Sequence, residues 1–396
     1  MTIAPESLHL GSDHPLGRVR RLGGMVGLAA SAASLLGLAL DPTQFLQSYL
    51  IAYIFWTGCA LGCLALQMIN HVTGGAWGTA IRRFLEAGTK TLPLMALAFL
   101  PIALGVGRIY EWANPEHVAH DHLLQHKQAF LNVPFFLART ALYFAVWILV
   151  SRALRRWSLA QDATRADLPT DRLELISRGG LVLLGLTMSF AAIDWMMSLE
   201  PHWQSTIYGL LFMAGSVLTA FAVMIPMAAV AATRSPYREV VTADQFHDLG
   251  KLLLGVVMVW AYFSFSQFLI IWSANLPEEI PWYLRRSGPG WNAIVLVLIF
   301  GHFALPFVVL LSRSAKRRPS VLARLGVFLL VVRFLDLFWM IAPAFHPEGF
   351  AVHWLDLTAV LGVGGCWLAV FVKNLEGTPL LPLNDLSLPL PESQHA

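Results

Sequence analysis

Several ionisable side chains lie within, or at the ends of, stretches that are otherwise apolar enough to cross a bilayer. They are Asp194, Glu200, His202, Asp248, Lys251, Arg139, His302, Arg333, Asp336 and Asp356. A charged side chain at the centre of a spanning helix costs about 2.5–3.5 kcal/mol on insertion scales, so such residues usually pair with one another or line ion pathways. These side chains are therefore the candidates for a proton pathway.

The densest group of these residues is in segment 191–209, which joins two long apolar stretches. It holds Asp194 inside one stretch, and Glu200 and His202 in the connecting turn. A membrane hairpin with ionisable groups at its tip is the simplest interpretation.

Two further positions leave alternatives open. Arg333 and Asp336 are three residues apart, so they share one helix face and can pair locally. Such a pair either fixes helix packing or belongs to a polar network in the membrane. His302 follows Gly301 and precedes Pro306 by four residues, where a loosened backbone can accommodate water. It is therefore either a titrating group or a satisfied packing histidine.

Asp248 and Lys251 stand with Asp244 and His247 at helical spacing, where an apolar stretch begins. This polar face is either a proton entrance or a solvated helix start with long side chains reaching water. A second polar loop is rich in histidine and could suggest a metal site. A solvated loop packed on another subunit needs no metal, and we predict none; its histidines are His117, His120, His122 and His126.

Composition defines the elements that must position these residues. The 396-residue chain is 57% hydrophobic and only 13% charged, with a mean hydropathy of +0.62. These values are too apolar for a soluble protein and predict an all-α polytopic membrane protein. We predict about ten transmembrane helices, with apolar segments at 23–40, 45–70, 90–107, 130–151, 176–198, 205–232, 250–273, 290–312, 321–345 and 352–373.

The distribution of basic residues predicts the orientation of these helices. Most of the 27 lysines and arginines fall in alternate loops on one side, which the positive-inside rule assigns to the cytoplasm. Both termini are then cytoplasmic. We expect residues 1–22 to form a cytoplasmic amino-terminal segment, 23–376 the transmembrane domain, and 377–396 an irregular tail that packs on a partner.

Cofactor motifs are missing from the sequence. The cysteines, Cys59, Cys63 and Cys366, all fall in apolar segments without any spacing typical of attached heme or iron–sulfur clusters. His302 alone lies at mid-membrane, whereas a heme b site needs two facing histidines. We therefore expect this chain to bind no redox centre and no metal. Nothing in the sequence indicates nucleic-acid binding.

Six segments occur in an order that resembles a known family. They are residues 70–78 with Arg82 and Arg83, then 91–94, 131–136, 194–202, 247–251 and 265–268. As a set they resemble the ActF-like membrane subunits of alternative complex III, which are related to the NrfD and polysulfide-reductase membrane subunits. The resemblance covers about residues 70–275 and implies a fold of two four-helix bundles plus peripheral helices.

The resemblance also implies a function. Alternative complex III is a bacterial quinol:cytochrome c, or quinol:oxidase, oxidoreductase of the inner (cytoplasmic) membrane. The expected partners are an iron–sulfur subunit, multiheme and monoheme cytochrome c subunits, a larger paralogous membrane subunit and, in some assemblies, a terminal oxidase. Heme c and iron–sulfur clusters then belong to those partners, and this chain supplies a scaffold and a proton pathway.

Two alternatives remain at this stage. In the first, the chain itself binds and oxidises quinol or menaquinol. This needs an aromatic-lined pocket beside an acid or histidine that accepts the quinol proton, and the candidates for such a quinone site are Trp195, His202 and Trp203. In the second, it is a secondary transporter, which should show inverted repeats and helices broken at the midplane. No convincing repeat is evident in the sequence, which disfavours transport.

Overall fold

The protein is described here by a computed structural model that covers residues 10, 14–164, 167–235 and 237–383. Within these residues, ten helices are long and apolar enough to cross a membrane. We label them α1 to α10: Pro15–Leu40, Pro42–Thr73, Ala76–Leu104, Val133–Ala163, Asp167–Leu199, Tyr208–Ala231, Ala243–Ala274, Trp291–Leu311, Pro319–Ala344 and Trp354–Leu375. The prediction of an all-α polytopic membrane protein is confirmed.

Several of these spans are interrupted. Helix α3 consists of Ala76–Thr89, Leu92–Ala98 and Leu100–Leu104, and α8 contains a π-helical segment, Leu298–Ala304. Helices α5 and α9 end in the short 3₁₀ turns Met197–Leu199 and Ala342–Ala344. Between the spans lie the short helices Val106–Ile109, Glu111–Ala113, Pro115–His120, His122–Lys127, Tyr237–Val240, Ile280–Arg285 and Arg313–Lys316.

Local sequence explains where several spans begin. Proline starts α1, α2 and α9, where its missing amide donor costs nothing. The Asp41 carboxylate accepts hydrogen bonds from the backbone amides of Thr43 and Gln44, which have no partner within α2. Thr242 and Gln245 form a capping box at the start of α7. The helix starts are therefore encoded by neighbouring residues rather than by distant packing.

The spans form two four-helix bundles. In the first bundle α2 packs on α3, α3 on α4, α4 on α5, and α5 returns to α2. In the second, α6, α7, α8 and α9 close a ring in the same way. Helices α2 and α6 join the bundles, and their apolar windows are 94% and 78% buried, against 22% for α7 and α8. The central helices of the molecule are therefore α2 and α6.

The remaining two spans are peripheral. Helix α1 packs along α10, and α10 lies on α2. A Cβ atom added to Gly27 of α1 would come 2.6 Å from the backbone nitrogen of Cys366 in α10. Small residues let membrane helices approach closely in this way. The expected arrangement of two bundles plus peripheral helices is present.

The two bundles repeat the same order of helices in the same chain direction. Each has four successive spans with the first packed on the last. Repeats of this parallel kind are known in membrane proteins and are related by an axis along the membrane normal. Apolar side chains satisfy a bundle in many combinations, which explains why the sequence shows no repeat.

Two helices begin earlier than their apolar segments. Helix α1 starts at Pro15, so Arg18, Arg20 and Arg21 belong to its first turns rather than to a separate polar segment. Helix α3 starts at Ala76 rather than near residue 90. Consequently Arg82 and Arg83, expected in a basic loop, are buried on a helix, with exposed fractions of 6% and 2%.

The carboxyl-terminal tail packs on this chain over its described part. Leu380 and Leu381 are buried, and the Leu383 backbone amide donates to Asp162 at 3.1 Å. The tail therefore contacts α4 of the first bundle at Leu383, while Glu376 pairs with Arg20 of the peripheral α1. Residues 384–396, for which contact with a partner was expected, lie outside the described residues.

Candidate functional site

The first bundle contains a fully buried carboxylate, Asp194 of α5. Arg139 of α4 donates to it twice, from Nε at 2.9 Å and from Nη2 at 2.7 Å, and Tyr143 donates its hydroxyl at 2.7 Å. Paired hydrogen bonds between guanidinium and carboxylate are among the strongest in proteins. Arg139 therefore offsets the cost of placing Asp194 inside the membrane, a pairing that sequence reasoning missed.

The rest of the Arg139 guanidinium is also satisfied. Its Nη1 donates to the backbone carbonyl of Phe130 at 2.9 Å, and its centre lies 3.9 Å from the Phe130 ring and 4.2 Å from the Phe135 ring. Aromatic faces stabilise a cation by electrostatic attraction. The Arg139–Asp194 pair is thus enclosed on all sides and ties α4 to α5.

Trp195 lies in the aromatic core of the first bundle. Its side chain is 1% exposed and contacts Tyr53, Phe99 and Phe144. Its indole nitrogen donates to Thr140 at 3.2 Å. Trp195 therefore belongs to the packed interior next to Asp194.

Glu200 anchors the tip of the α5–α6 hairpin to the loop before α8. It accepts from Arg285 at 3.0 Å and from Arg286 at 2.6 Å. Arg286 is buried, and its guanidinium lies 3.7 Å above the Trp282 ring, which stacks on Trp203 at 4.8 Å. Trp203 and Trp195 are thus in different clusters, although both were quinone-site candidates.

His202 docks the tip to the loop after α3. Its Nε2 lies 2.7 Å from the Asp121 carboxylate, and Lys127 donates to the Pro201 carbonyl at 2.6 Å. The Leu124 backbone amide, together with His202, holds the pKa of Asp121 below its ordinary value, so this carboxyl group is ionised at neutral pH. No group of three or more potential metal ligands is found among the described residues.

The second bundle contains a different buried pair. Asp336 of α9 accepts from Arg333, one turn away on the same helix, and from the indole nitrogen of Trp260 at 3.0 Å. The local pair that the sequence predicts is therefore present. Gly215 of α6 makes room for it, since a Cβ at this position would lie 2.1 Å from Arg333 Nη2.

His302 lies beside this pair on α8. Its ring meets the edge of the Trp260 ring, with centroids 3.9 Å apart, and Arg333 is close enough for electrostatic interaction. His302 is 0% exposed, and neither ring nitrogen has a hydrogen-bond partner in the described part of the protein. The Nε atom of Arg333 also has no hydrogen-bond partner among the described residues. Buried polar atoms of this kind are normally met by ordered water or a ligand.

The backbone at His302 has the loosened geometry expected from the sequence. Residues Leu298–Ala304 form a π-helix directly before Pro306. Single π-helical turns within α-helices occur frequently at functional sites. Together, His302, Trp260, Asp336 and Arg333 form the candidate site, which we call the His302 cluster.

Three other candidates have ordinary structural contacts. Asp356 accepts from Ser48 at 2.5 Å and from the His353 backbone amide at 2.8 Å, so it caps the start of α10. Asp248 and Lys251 pair at 2.8 Å on the surface, and both side chains are exposed. No hydrogen bond among the described residues connects any of the three with the His302 cluster.

Sequence reasoning missed a third buried charged group. Glu86 of α3 accepts from Arg83 at 2.7 Å and from Ser158 of α4 at 2.5 Å, and Arg83 also pairs with Asp162. Glu86 is 2% exposed. The available signal was the spacing of three between Arg83 and Glu86, which suits a helix face. Because these residues lie between the predicted segments 45–70 and 90–107, no helix was expected there.

Comparison with known protein families and curated proteins does not identify the family of this chain. No protein-family model matches the chain, and no curated protein is significantly similar to it.

We predict that the Arg139–Asp194 pair is costly to break from one side. Asp194→Asn leaves a buried guanidinium without its counter-charge and should lower the free energy of unfolding by about 3–5 kcal/mol. Adding Arg139→Leu should restore much of the lost stability, because it removes the unpaired guanidinium group. The side-chain amide introduced at position 194 can still accept the hydrogen bond from Tyr143. The measurement is unfolding of the purified chain in detergent.

The control for this experiment is Glu174→Gln, which breaks the exposed Arg178–Glu174 pair. Exposed pairs contribute about 0–1 kcal/mol, so the control should change little. An Asp194→Asn variant as stable as this control would show that the buried pair is not needed for packing.

Proposed function

We propose that this chain is a membrane subunit of a respiratory quinol:cytochrome c, or quinol:oxidase, oxidoreductase of the alternative complex III kind. It lies in the bacterial inner membrane with both termini in the cytoplasm. Three features support the proposal: the ordered set of family-like segments, the two parallel bundles with peripheral helices, and the bias of basic residues toward one face. Within such a complex the chain supplies a scaffold and proton-transfer groups.

The observation that carries the proton role is the unpartnered imidazole of His302. A histidine kept only for packing would be expected to satisfy at least one ring nitrogen, because an unmet buried polar group costs about 1–3 kcal/mol. Ionisable groups inside membrane bundles are commonly part of proton relays. His302 therefore acts with water as a relay point next to Asp336.

The geometry suggests how the relay works. One ring nitrogen of His302 accepts a proton while the other releases one, since imidazole carries nitrogen atoms on both edges. Asp336 remains between Trp260 and Arg333 as the fixed counter-charge.

Electron transfer in this proposal belongs to partner subunits that hold iron–sulfur clusters and c-type hemes. The Arg139–Asp194 pair, Glu200 and His202 then fix the hairpin against which those partners are placed. The quinol itself is oxidised elsewhere in the complex, because Trp195, His202 and Trp203 are divided between different contacts of the hairpin.

Purification of the tagged chain tests membership of such a complex. We expect the native preparation from mild detergent to contain heme c, iron and a second, larger polytopic subunit. The chain purified alone should be colourless and free of quinone. A chain that comes from native membranes without any redox partner would contradict the proposal, and quinone bound to the isolated chain would move quinol oxidation to this subunit.

The proton role has its own test in the reconstituted complex. His302→Phe keeps a ring of similar shape but removes both nitrogens, so it should lower the number of protons released per quinol while the complex still assembles. Ser177→Ala is the control, since it removes another fully buried and unpartnered polar atom. Equal proton release by the two variants and the parent would refute a relay through His302.

A further inference from the structure

An open groove runs along the outer face of α8. It has a volume of about 530 Å³ and an almost wholly apolar lining, formed by Phe300, Gly301, Ala304, Leu305, Val308 and Val309. The groove exists because Gly301 and Ala304 are small residues between larger ones. In a spanning helix, an apolar groove of this kind opens sideways into the hydrocarbon of the bilayer.

Helix α9 lies next to the groove. A Cβ on Gly301 would be 3.4 Å from the Phe328 ring and 3.7 Å from Val332. Phe328 is exposed, and Arg324, one helical turn earlier, is exposed on the same face. Arg324 is therefore close to the path of the groove toward the α8–α9 loop.

Arg324 is an unneutralised charge in this position. It lies within the second turn of a spanning helix, and its described contact is from Nε to the Ser320 carbonyl at 3.2 Å. Among the described residues, no carboxylate lies within salt-bridge distance of Arg324 or of Arg313. Nearby basic residues differ in this respect, since Arg317 pairs with Asp244 and Lys251 with Asp248.

Arg313 marks the same end of the groove from the other helix. It begins the short helix after α8, four residues beyond the groove residue Val309, and is exposed. The extended residue Ser312 separates α8 from this short helix, so Arg313 lies just past the end of the spanning helix toward which the groove runs. One arginine therefore follows the end of α8, and the other lies in the second turn of the neighbouring α9.

We propose that this groove, with Arg313 and Arg324, is a binding site for an anionic phospholipid. One acyl chain lies along Gly301, Ala304 and Val308, and the phosphodiester accepts hydrogen bonds from the two guanidinium groups. Arginine suits this role because its planar donors match phosphate oxygens. Basic residues at the cytoplasmic ends of membrane helices are known to recognise anionic headgroups.

A phospholipid fits this site better than a free anion does, because binding uses both the apolar groove and the two arginines. The groove offers no polar group to hold a soluble phosphate, while the exposed arginines offer no cover from water. The site does not depend on the respiratory function. It is adjacent to the π-helical segment of α8, so a bound lipid would also brace the helix that carries His302.

The test uses the full chain in mild non-ionic detergent, titrated with phosphatidylglycerol or phosphatidylcholine of identical acyl chains. Native mass spectrometry counts the bound lipid. We expect the chain to retain phosphatidylglycerol at least about tenfold more tightly, with the preference falling as salt increases. The double variant Arg313→Gln, Arg324→Gln should remove this preference, and Ala304→Phe should weaken binding of both lipids by filling the groove.

The matched control is Arg234→Gln, Arg238→Gln, which removes two other exposed arginines outside the groove, in the α6–α7 connection, and should leave the preference unchanged. Glycerol phosphate should not compete, because it has no acyl chain. Equal retention of the two lipids by the parent chain would overturn the proposal. Competition by glycerol phosphate, or loss of the preference in the control variant, would overturn it as well.

Discussion

A charge inside the membrane must be neutralised where it lies, and this constraint shapes both bundles. In the first bundle the neutralising contact runs between helices, from Arg139 of α4 to Asp194 of α5. In the second it stays on one helix, between Arg333 and Asp336 of α9. A contact between helices fixes their register. A contact within one helix leaves the neighbouring helices free to supply other groups, here Trp260 and His302.

The two bundles share one arrangement of helices, but this difference suits them to different roles. The Asp194 carboxylate is enclosed by Arg139 and Tyr143, and the hairpin beyond it is held by Glu200 and His202. Such a region is rigid and suits a scaffold. The second bundle has three polar atoms without a hydrogen-bond partner among the described residues beside its charged pair, namely both His302 ring nitrogens and Arg333 Nε, and His302 lies in a π-helical segment. The first bundle also has unpartnered polar atoms, on Gln67 and Ser177, but an amide and a hydroxyl group do not relay protons as an imidazole can.

Sequence alone predicted the elements of the fold and the local contacts. The ten spans and the pairing of Arg333 with Asp336 depend on near neighbours and were predicted, although α1 and α3 begin earlier than their apolar segments. The Arg139–Asp194 pair was not predictable, because the two residues are 55 positions apart and only packing of α4 on α5 brings them together. Glu86 was missed because charged residues at the start of α3 resemble a loop until their burial is known.

Trp195 and Trp203 were grouped in one site by the sequence, but the structure separates them. Their proximity in the sequence suggested one aromatic pocket, but the chain turns at Met197–Leu199 between them. One ring therefore packs on Tyr53 and Phe99 in the first bundle, and the other stacks on Trp282 in the loop before α8. Side chains close in sequence are divided whenever a helix end lies between them.

In the proposed relay, water links His302 to the Arg333–Asp336 pair. The most direct measurement is a cryo-electron-microscopy map of the native assembly that resolves ordered water. The account predicts density within hydrogen-bond distance of at least one His302 ring nitrogen, continuing toward Arg333 Nε or Asp336. A site closed around His302, with both nitrogens against carbon atoms and no such density, would contradict it.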